Sequence, residues 1–251
     1  MEREELKDFL NQKVDLYNRS EFIETDPIRV PHRYSQKEDI EISGFLTATL
    51  SWGNRKMIIR NAERLMEMMG NSPYDFVMES KAEHIDDFVH RTFNLIDLHF
   101  FLGSLRNLYA KHGGMERIFE VHATGDSLQP AIHNFKRLFF ELEHPQRTTK
   151  HVSDPLRGSA AKRINMFLRW MVRQDVHGVD FGIWKSLSPS LLSCPLDVHT
   201  GRVARKLNLM KRKANDARAL QELDQSLRAL DAEDPVRYDF ALFGLGVFEG
   251  F

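Results

Sequence analysis

Two short stretches of this 251-residue chain carry side chains of a type and spacing suited to covalent or acid–base chemistry. The first is LRGSAAK, Leu156 to Lys162, which reads as a turn running into the start of a helix. Gly158 permits a positive φ or a close backbone approach, and Ser159 can cap the helix that follows. Amides left free at such an end carry the positive pole of the helix, so Gly158, Ser159 and Ala160 form a phosphate site needing few side chains. Lys162 then falls in the first turn, where the dipole opposes a cation and favours the neutral, nucleophilic amine. The position suits a Schiff-base lysine.

The second stretch is PLDVHTGRVARKL, residues 195 to 207, in which Asp197 stands alone at the head of a basic run with no second acid before Asp216. An isolated Asp at a helix entrance is ordinarily an N-cap. Here the preceding Pro195-Leu196 suggests a partly buried approach, and His199, Arg202, Arg205 and Lys206 follow where they can hold a phosphate backbone near the carboxylate. A carboxylate so placed can stabilise a developing sugar cation and assist proton transfer. One residue can cap the helix and face the substrate as well.

Apolar residues at three-and-four spacing supply the elements that must position these groups. Leu6, Phe9, Leu10, Val14 and Leu16 fit a first amphipathic helix; Ile42, Phe45, Leu46 and Leu50 fit another. After the SWGNR break come Ile58, Ala62, Leu65, Met66 and Met69. The stripe from Leu98 to Tyr109 closes at Gly113-Gly114, and the one from Phe135 to Leu142 ends near Pro145. In the second half, Ala161 to Val172 predicts a helix starting near Ser159 and ending before Gly178. Further helices follow Asp197, run through Leu220 to Leu230, and enter through Pro235 to carry Tyr238 to Leu245. No convincing hairpin signal and no βαβ alternation is seen, so the fold class is all-α. The polar, Pro-containing loops at residues 26–35 and 144–158 suggest two lobes, 35–145 and 146–251, with the N-terminal helix packing on either.

A 42% apolar content is enough for a proper core. No uncharged apolar run reaches about 18 residues, and MEREELKDFL is acidic where a signal peptide would be basic and then apolar, so no membrane association and a cytoplasmic location are expected. The single cysteine, Cys194, excludes an intrachain disulfide and a four-cysteine iron–sulfur cluster. Net charge is −1, yet Pro155 to Lys213 holds twelve basic and three acidic residues, a net +9, against −10 elsewhere. Such asymmetry points to a polyanionic partner, unless the charges are spread around solvated helix faces.

Both motifs resemble those of the helix-hairpin-helix DNA glycosylase superfamily. LRGSAAK resembles the LPGVGRK hairpin of endonuclease III-like members, and LDVHTGRV resembles their VDTHIFRV segment. The resemblance covers mainly residues 150 to 210, and fainter similarity over Gly44 to Met66 matches the early helix–loop–helix lining the lesion pocket. It implies a two-lobed all-α fold with a helix-hairpin-helix motif, Lys162 as the catalytic lysine and Asp197 as the catalytic aspartate. Arg157, Gly158, Ser159, Ala160, Arg163, His199, Arg202 and Arg205 would contact DNA. Arg157 replaces the hairpin proline and Ala160 its second glycine, so the turn is expected to differ. The long Lys-to-Asp interval is closer to the archaeal 8-oxoguanine glycosylase branch, which also lacks the cluster cysteines. That branch has an Asp followed four positions later by an aromatic that stacks on the damaged base; Asp239 and Phe243 have this spacing and share a helix face.

The resemblance therefore implies base excision from double-stranded DNA containing a damaged base, with AP lyase activity and no cofactor or metal, by a monomer. Trp52 and Asn54 are weaker candidates for the opposite pocket wall or for filling the gap left by a flipped nucleotide. Phe243 and Trp52 are also readable as core residues. Three other readings stand beside this one. They are a non-catalytic helix-hairpin-helix DNA-binding protein, a helical metal-dependent phosphohydrolase built on some of the eleven histidines, and a helical protein-interaction scaffold. The second lacks an HExxH motif or an adjacent His-Asp pair.

Overall fold

The apolar stripes become helices whose buried faces sort into two cores. The computed structural model describes residues 2–79 and 81–251, and among them helices dominate. The larger core is built around α3 (Lys37–Leu50), buried on every side from Ile40 to Leu50 and so a central helix. Around its Phe45 ring stand Phe101, Phe135, Phe139 and Phe167, with centroids 5.4 to 5.9 Å away. These rings come from α6 (Leu95–His112), α8 (Gln129–Phe139) and α9 (Lys162–Val172). Short α2 (Ser20–Thr25), α4 (Arg55–Met68), α5 (Pro73–Met78) and α7 (Met115–His122) complete this layer. The smaller core joins α1 (Arg3–Tyr17) to α10 (Val198–Lys206), α11 (Ala217–Leu230) and α12 (Tyr238–Val247) through Leu10, Val14, Val203, Leu223, Leu227 and Leu242.

Local signals set several helix ends as the sequence predicts. Gly113 takes the left-handed conformation after α6, and Pro235 opens a 3-10 turn leading into α12. Four expectations need correction. A small hairpin is present: β1 (Val89–His90) pairs antiparallel with β2 (Phe93–Asn94), its turn made by Arg91 at φ +57° and Thr92. Arg91 lacks the usual Asn or Gly signature, and the strands are too short to alternate. The helix expected from near Ser159 begins at Lys162, and the one expected to run to Pro145 ends at Phe139. Finally, the first core draws mostly on residues before 193 and the second mostly on residues after it, with α1 and Ala160 in the second and Val236 and Phe240 in the first, because α9 turns Ile164, Phe167, Leu168 and Met171 into the first.

Two close contacts fix the frame. Gly244 of α12 lies so near the Tyr17 ring that a Cβ there would meet it at 2.1 Å, which locks α1 onto the helix carrying Asp239 and Phe243. On the other side, Glu41 of α3 accepts from Tyr109 Oη at 2.5 Å and from Trp184 Nε1 at 2.6 Å, tying α3 to α6 and to the long loop after α9. Burial pushes the Glu41 carboxyl up from 4.5 to about 7 against those two donors. Because the folded-state value stands above the unfolded one, Glu41 costs the fold nothing below about pH 4.5 and progressively more as pH rises to 7, with no further change above. Glu41→Gln should therefore gain stability relative to wild type between pH 4.5 and 7.5, by up to roughly 3 kcal/mol. Urea unfolding of both proteins across that range tests this; a pH-independent difference would contradict it.

Candidate functional site

The approach to α9 is a tight, internally bonded turn. Asp154 accepts from Leu156 N at 3.1 Å and opens a 3-10 turn over Pro155–Arg157, after which Gly158 sits at φ +91°. Gly158 N donates to Pro155 O at 2.9 Å and Ser159 N to Asp154 O at 3.3 Å. The expected phosphate site on the Gly158 and Ser159 amides is thus corrected, since both are already bonded. Ser159 Oγ accepts from Ala161 N at 3.1 Å, and Ala161, at φ +47°, is the N-cap. The first intrahelical bond runs from Asn165 N to Ala161 O, so it is the Lys162, Arg163 and Ile164 amides that lie at the positive end of α9. Ala160 is buried in the second core, whereas the Arg157 side chain is exposed with no hydrogen bond or ion pair to a described residue.

Asp197 is the N-cap of α10: its Oδ1 accepts from His199 N at 2.9 Å and Thr200 N at 3.0 Å. Its Oδ2 makes no hydrogen bond to a described residue. Behind it, Asn215 Nδ2 donates to Asp197 O at 2.8 Å, and Arg205 holds Asn215 Oδ1 at 2.5 Å and Arg212 O at 2.8 Å. Arg202 donates to Gly246 O at 2.8 Å, while His199 is exposed at the site. Arg163 sends its guanidinium inward to the Thr49 and His151 carbonyls. The basic segment is consequently less of a surface than its composition suggests. Arg169 and Arg173 are buried among Asp175, Asp180, Asp234 and Asp239, and Arg163, Arg202 and Arg205 fix backbone or Asn215.

Between the two cores lies a cavity of about 550 Å³, and it brings together residues more than 190 positions apart. Lys162 and Asp197 both line it, as do Trp52, Arg163, His199, Asp239 and Phe243. Among the described residues the only hydrogen-bonding contact of Lys162 Nζ is Met166 Sδ at 3.7 Å, and the amine forms no ion pair with a carboxylate. Asp239 is ion-paired to Arg169, yet its burial pushes the carboxyl up to about 6. Trp52 stacks under the Arg91 guanidinium at 4.4 Å, and its buried Nε1 has no hydrogen-bond partner. Asn54, Arg157, Gly158, Ser159, Ala160, Arg202 and Arg205 do not line the cavity; Asn54 caps α4 by accepting from Met57 N at 3.2 Å.

Three wall residues went unnoticed in the sequence. Asp26, in what reads as an ordinary Asp-Pro loop, is buried, and desolvation raises its pKa although Ile28 N and nearby cations oppose the shift. Arg55 lies over the Phe243 ring at 4.8 Å, and Phe22 meets the same ring edge-on at 5.9 Å. Only the Arg55 position next to SWGN carried any local signal, as a residue at a helix start.

Gly201 permits the Asn215 support of Asp197, because a Cβ there would meet Asn215 Oδ1 at 2.6 Å. Gly to Ala inside a helix ordinarily stabilises by up to about 1 kcal/mol. Gly201→Ala should instead destabilise by about 1–3 kcal/mol, and adding Asn215→Ala should recover at least half of the loss. Thermal melts of the single and double variants read this directly; a stabilised single variant would show that the packing is looser.

No curated protein and no solved structure matches the chain. The family model described as "Protein of unknown function (DUF2400)" matches residues 26–248, and with that coverage of the larger core, of the smaller core outside α1 and of every cavity-lining side chain except Phe22, the chain belongs to the DUF2400 family.

Proposed function

We propose that the protein is a base-excision DNA glycosylase with AP lyase activity, acting through a Schiff base on Lys162. The observation that carries this reading is the convergence of Lys162, lacking a carboxylate partner, and Asp197, with one oxygen unbonded, on a single cavity between two helical cores. A volume of about 550 Å³ suits one nucleotide, and pockets of this size commonly hold small ligands. The helix-hairpin-helix resemblance supplies the substrate class, and an oxidised purine such as 8-oxoguanine is the first lesion to test.

In this mechanism the damaged nucleotide leaves the duplex stack and enters the cavity. The N-glycosidic bond breaks with its electron pair going to the base, which takes up a proton. Asp197 Oδ2 stabilises the positive charge that develops at C1′. The Lys162 amine, once deprotonated, forms the new C1′–N bond, loses a further proton, and gives an imine as the sugar ring opens. Loss of a C2′ proton then expels the 3′ phosphate by β-elimination. Arg157, which is exposed, and the α9 amides would meet the phosphate backbone.

A non-catalytic helix-hairpin-helix DNA-binding protein would use the same turn with Lys162 as one more phosphate contact, and the tight bonding of that turn through Asp154, Gly158 and Ser159 is compatible with it. The metal-dependent phosphohydrolase reading gains no support, since among the described residues no group of three His, Cys, Asp or Glu converges.

Borohydride trapping on duplexes carrying 8-oxoguanine, uracil, thymine glycol or an abasic site separates the two DNA readings. Wild type should form a covalent adduct and Lys162→Gln none, with DNA affinity retained; equal trapping by the variant would remove this lysine from the chemistry. Because Asn also caps helices well, Asp197→Asn isolates the charge from the cap. It should slow base release by about 10²–10⁴-fold with little change in melting temperature. Loss of stability without selective loss of base release would return Asp197 to a structural role.

A further inference from the structure

The Phe243 ring is held by aromatic edges and covered on one face by a cation. Phe22 and Phe248 meet it nearly perpendicular, at 5.9 and 6.1 Å between centroids, so the ring plane is fixed. Over the ring lies the Arg55 guanidinium, 4.8 Å from the centroid. A planar heterocycle is about 3.4 Å thick, so one inserted between the two groups needs them about 6.8 Å apart. The observed separation falls about 2 Å short, and a base stacking on that face must move Arg55 aside.

Arg55 is suited to moving. It makes no hydrogen bond or ion pair to a described residue, and as the first residue of α4 it sits at the positive end of a helix dipole, the unfavourable end for a cation. A receiving group is at hand in the same wall. Asp26 is buried, its Oδ1 accepts from Ile28 N at 3.1 Å, and its Oδ2 has no hydrogen bond to a described residue. Of the cations close enough to influence Asp26, Arg169 is already paired with Asp180 and Asp239, and Lys162 is the amine of the proposed reaction. That leaves Arg55 as the partner able to change position.

We infer that Arg55 is a displaceable cover on the Phe243 face, and that a planar heterocycle entering the cavity takes its place on the ring while Arg55 turns to Asp26. Arg55 and Asp26 are then specificity-determining residues. A flat π surface can replace a guanidinium on the ring, whereas a non-planar or purely aliphatic group cannot. The inference rests on the cavity being the base pocket of the proposed glycosylase, but it does not depend on covalent chemistry at Lys162.

Guanosine and adenosine, titrated into the 251-residue chain and followed by ligand-observed NMR, test it without DNA. Arg55→Ala removes the competing cation–π contact and should tighten nucleoside binding by about three- to thirtyfold. Asp26→Asn removes the receiving carboxylate and should weaken it, whereas in the Arg55→Ala background the Asp26→Asn change should have no effect. Arg55→Lys, which keeps the charge and loses the planar stack, should fall between wild type and Arg55→Ala and guards against a folding defect. Weaker or unchanged binding by Arg55→Ala, an Asp26 effect that persists without Arg55, or no binding by any variant at millimolar nucleoside would each overturn the inference. Failed borohydride trapping beside the expected nucleoside pattern would remove the Schiff-base reading alone, and successful trapping beside a flat Arg55 series would remove only this inference.

Discussion

The structure depends on one buried cation. Arg169 of α9 lies between Asp180 and Asp239, and its neighbour Arg173 reaches Asp175, Asp180 and Asp234. These carboxylates come from the loop after α9 and from the approach to and first turn of α12, so two arginines one helical turn apart join the larger core to the smaller. Burying them is tolerable only because each has several acidic partners; removing one partner from such a group typically costs about 3–5 kcal/mol. Their guanidinium groups also lie over the Phe240 ring, at 4.4 and 5.4 Å. The cavity opens beside this junction, and its wall inherits the rigidity of the network through Asp239.

That arrangement brings two helix beginnings to one wall. Lys162 is the first residue of α9, and Asp197 is the N-cap of α10. The same partial positive charge acts on both: it favours the carboxylate at the cap and opposes the ammonium at the first turn. Asp197 meets the field through two amide bonds on Oδ1, which leaves its position fixed and its other oxygen unbonded. Among the described residues Lys162 meets it with the Met166 thioether as its one side-chain hydrogen-bonding contact, while Asp26 and Asp239 lie close enough to feel its charge without pairing with it. A cation without a carboxylate partner beside a constrained anion is a costly pair of choices for a purely structural wall. It is a reasonable one for an amine that must react.

The placement of charge is as informative. Twelve basic residues between Pro155 and Lys213 suggest a polyanion-binding face, yet several of them satisfy the protein's own carbonyls and carboxylates. The acids that neutralise Arg169 and Arg173 include Asp234 and Asp239, outside the segment. A net charge summed over a stretch of chain therefore overstates the exposed field wherever the helix carrying it is buried. Arg157, Lys185, Arg202, Lys206, Lys211 and Lys213 remain exposed, so the basic surface is real but smaller than the twelve residues suggest.

Helix positions were legible in the sequence because apolar periodicity, Gly113 and Pro235 act over one or two turns. Lys162 and Asp197 could likewise be singled out from their places at helix starts, a short-range property, whereas Asp239 and Phe243 were marked only by the resemblance to the 8-oxoguanine glycosylase branch. The hairpin around Arg91 escaped, its turn resting on a left-handed arginine and its strands being two residues each. Asp26 and Arg55 escaped for a different reason: nothing in their neighbourhoods distinguishes them from loop and helix-start residues until α2, α4 and α12 meet at the cavity. The lobe boundary escaped for the same reason, since which core α9 joins depends on which helix faces it. The sequence by itself determined the helices and which side chains stand at their ends. Only the tertiary structure decided which of those ends share a cavity, which arginines are neutralised from afar and which aromatic face is covered, because burial and charge pairing act between residues that the chain order keeps far apart.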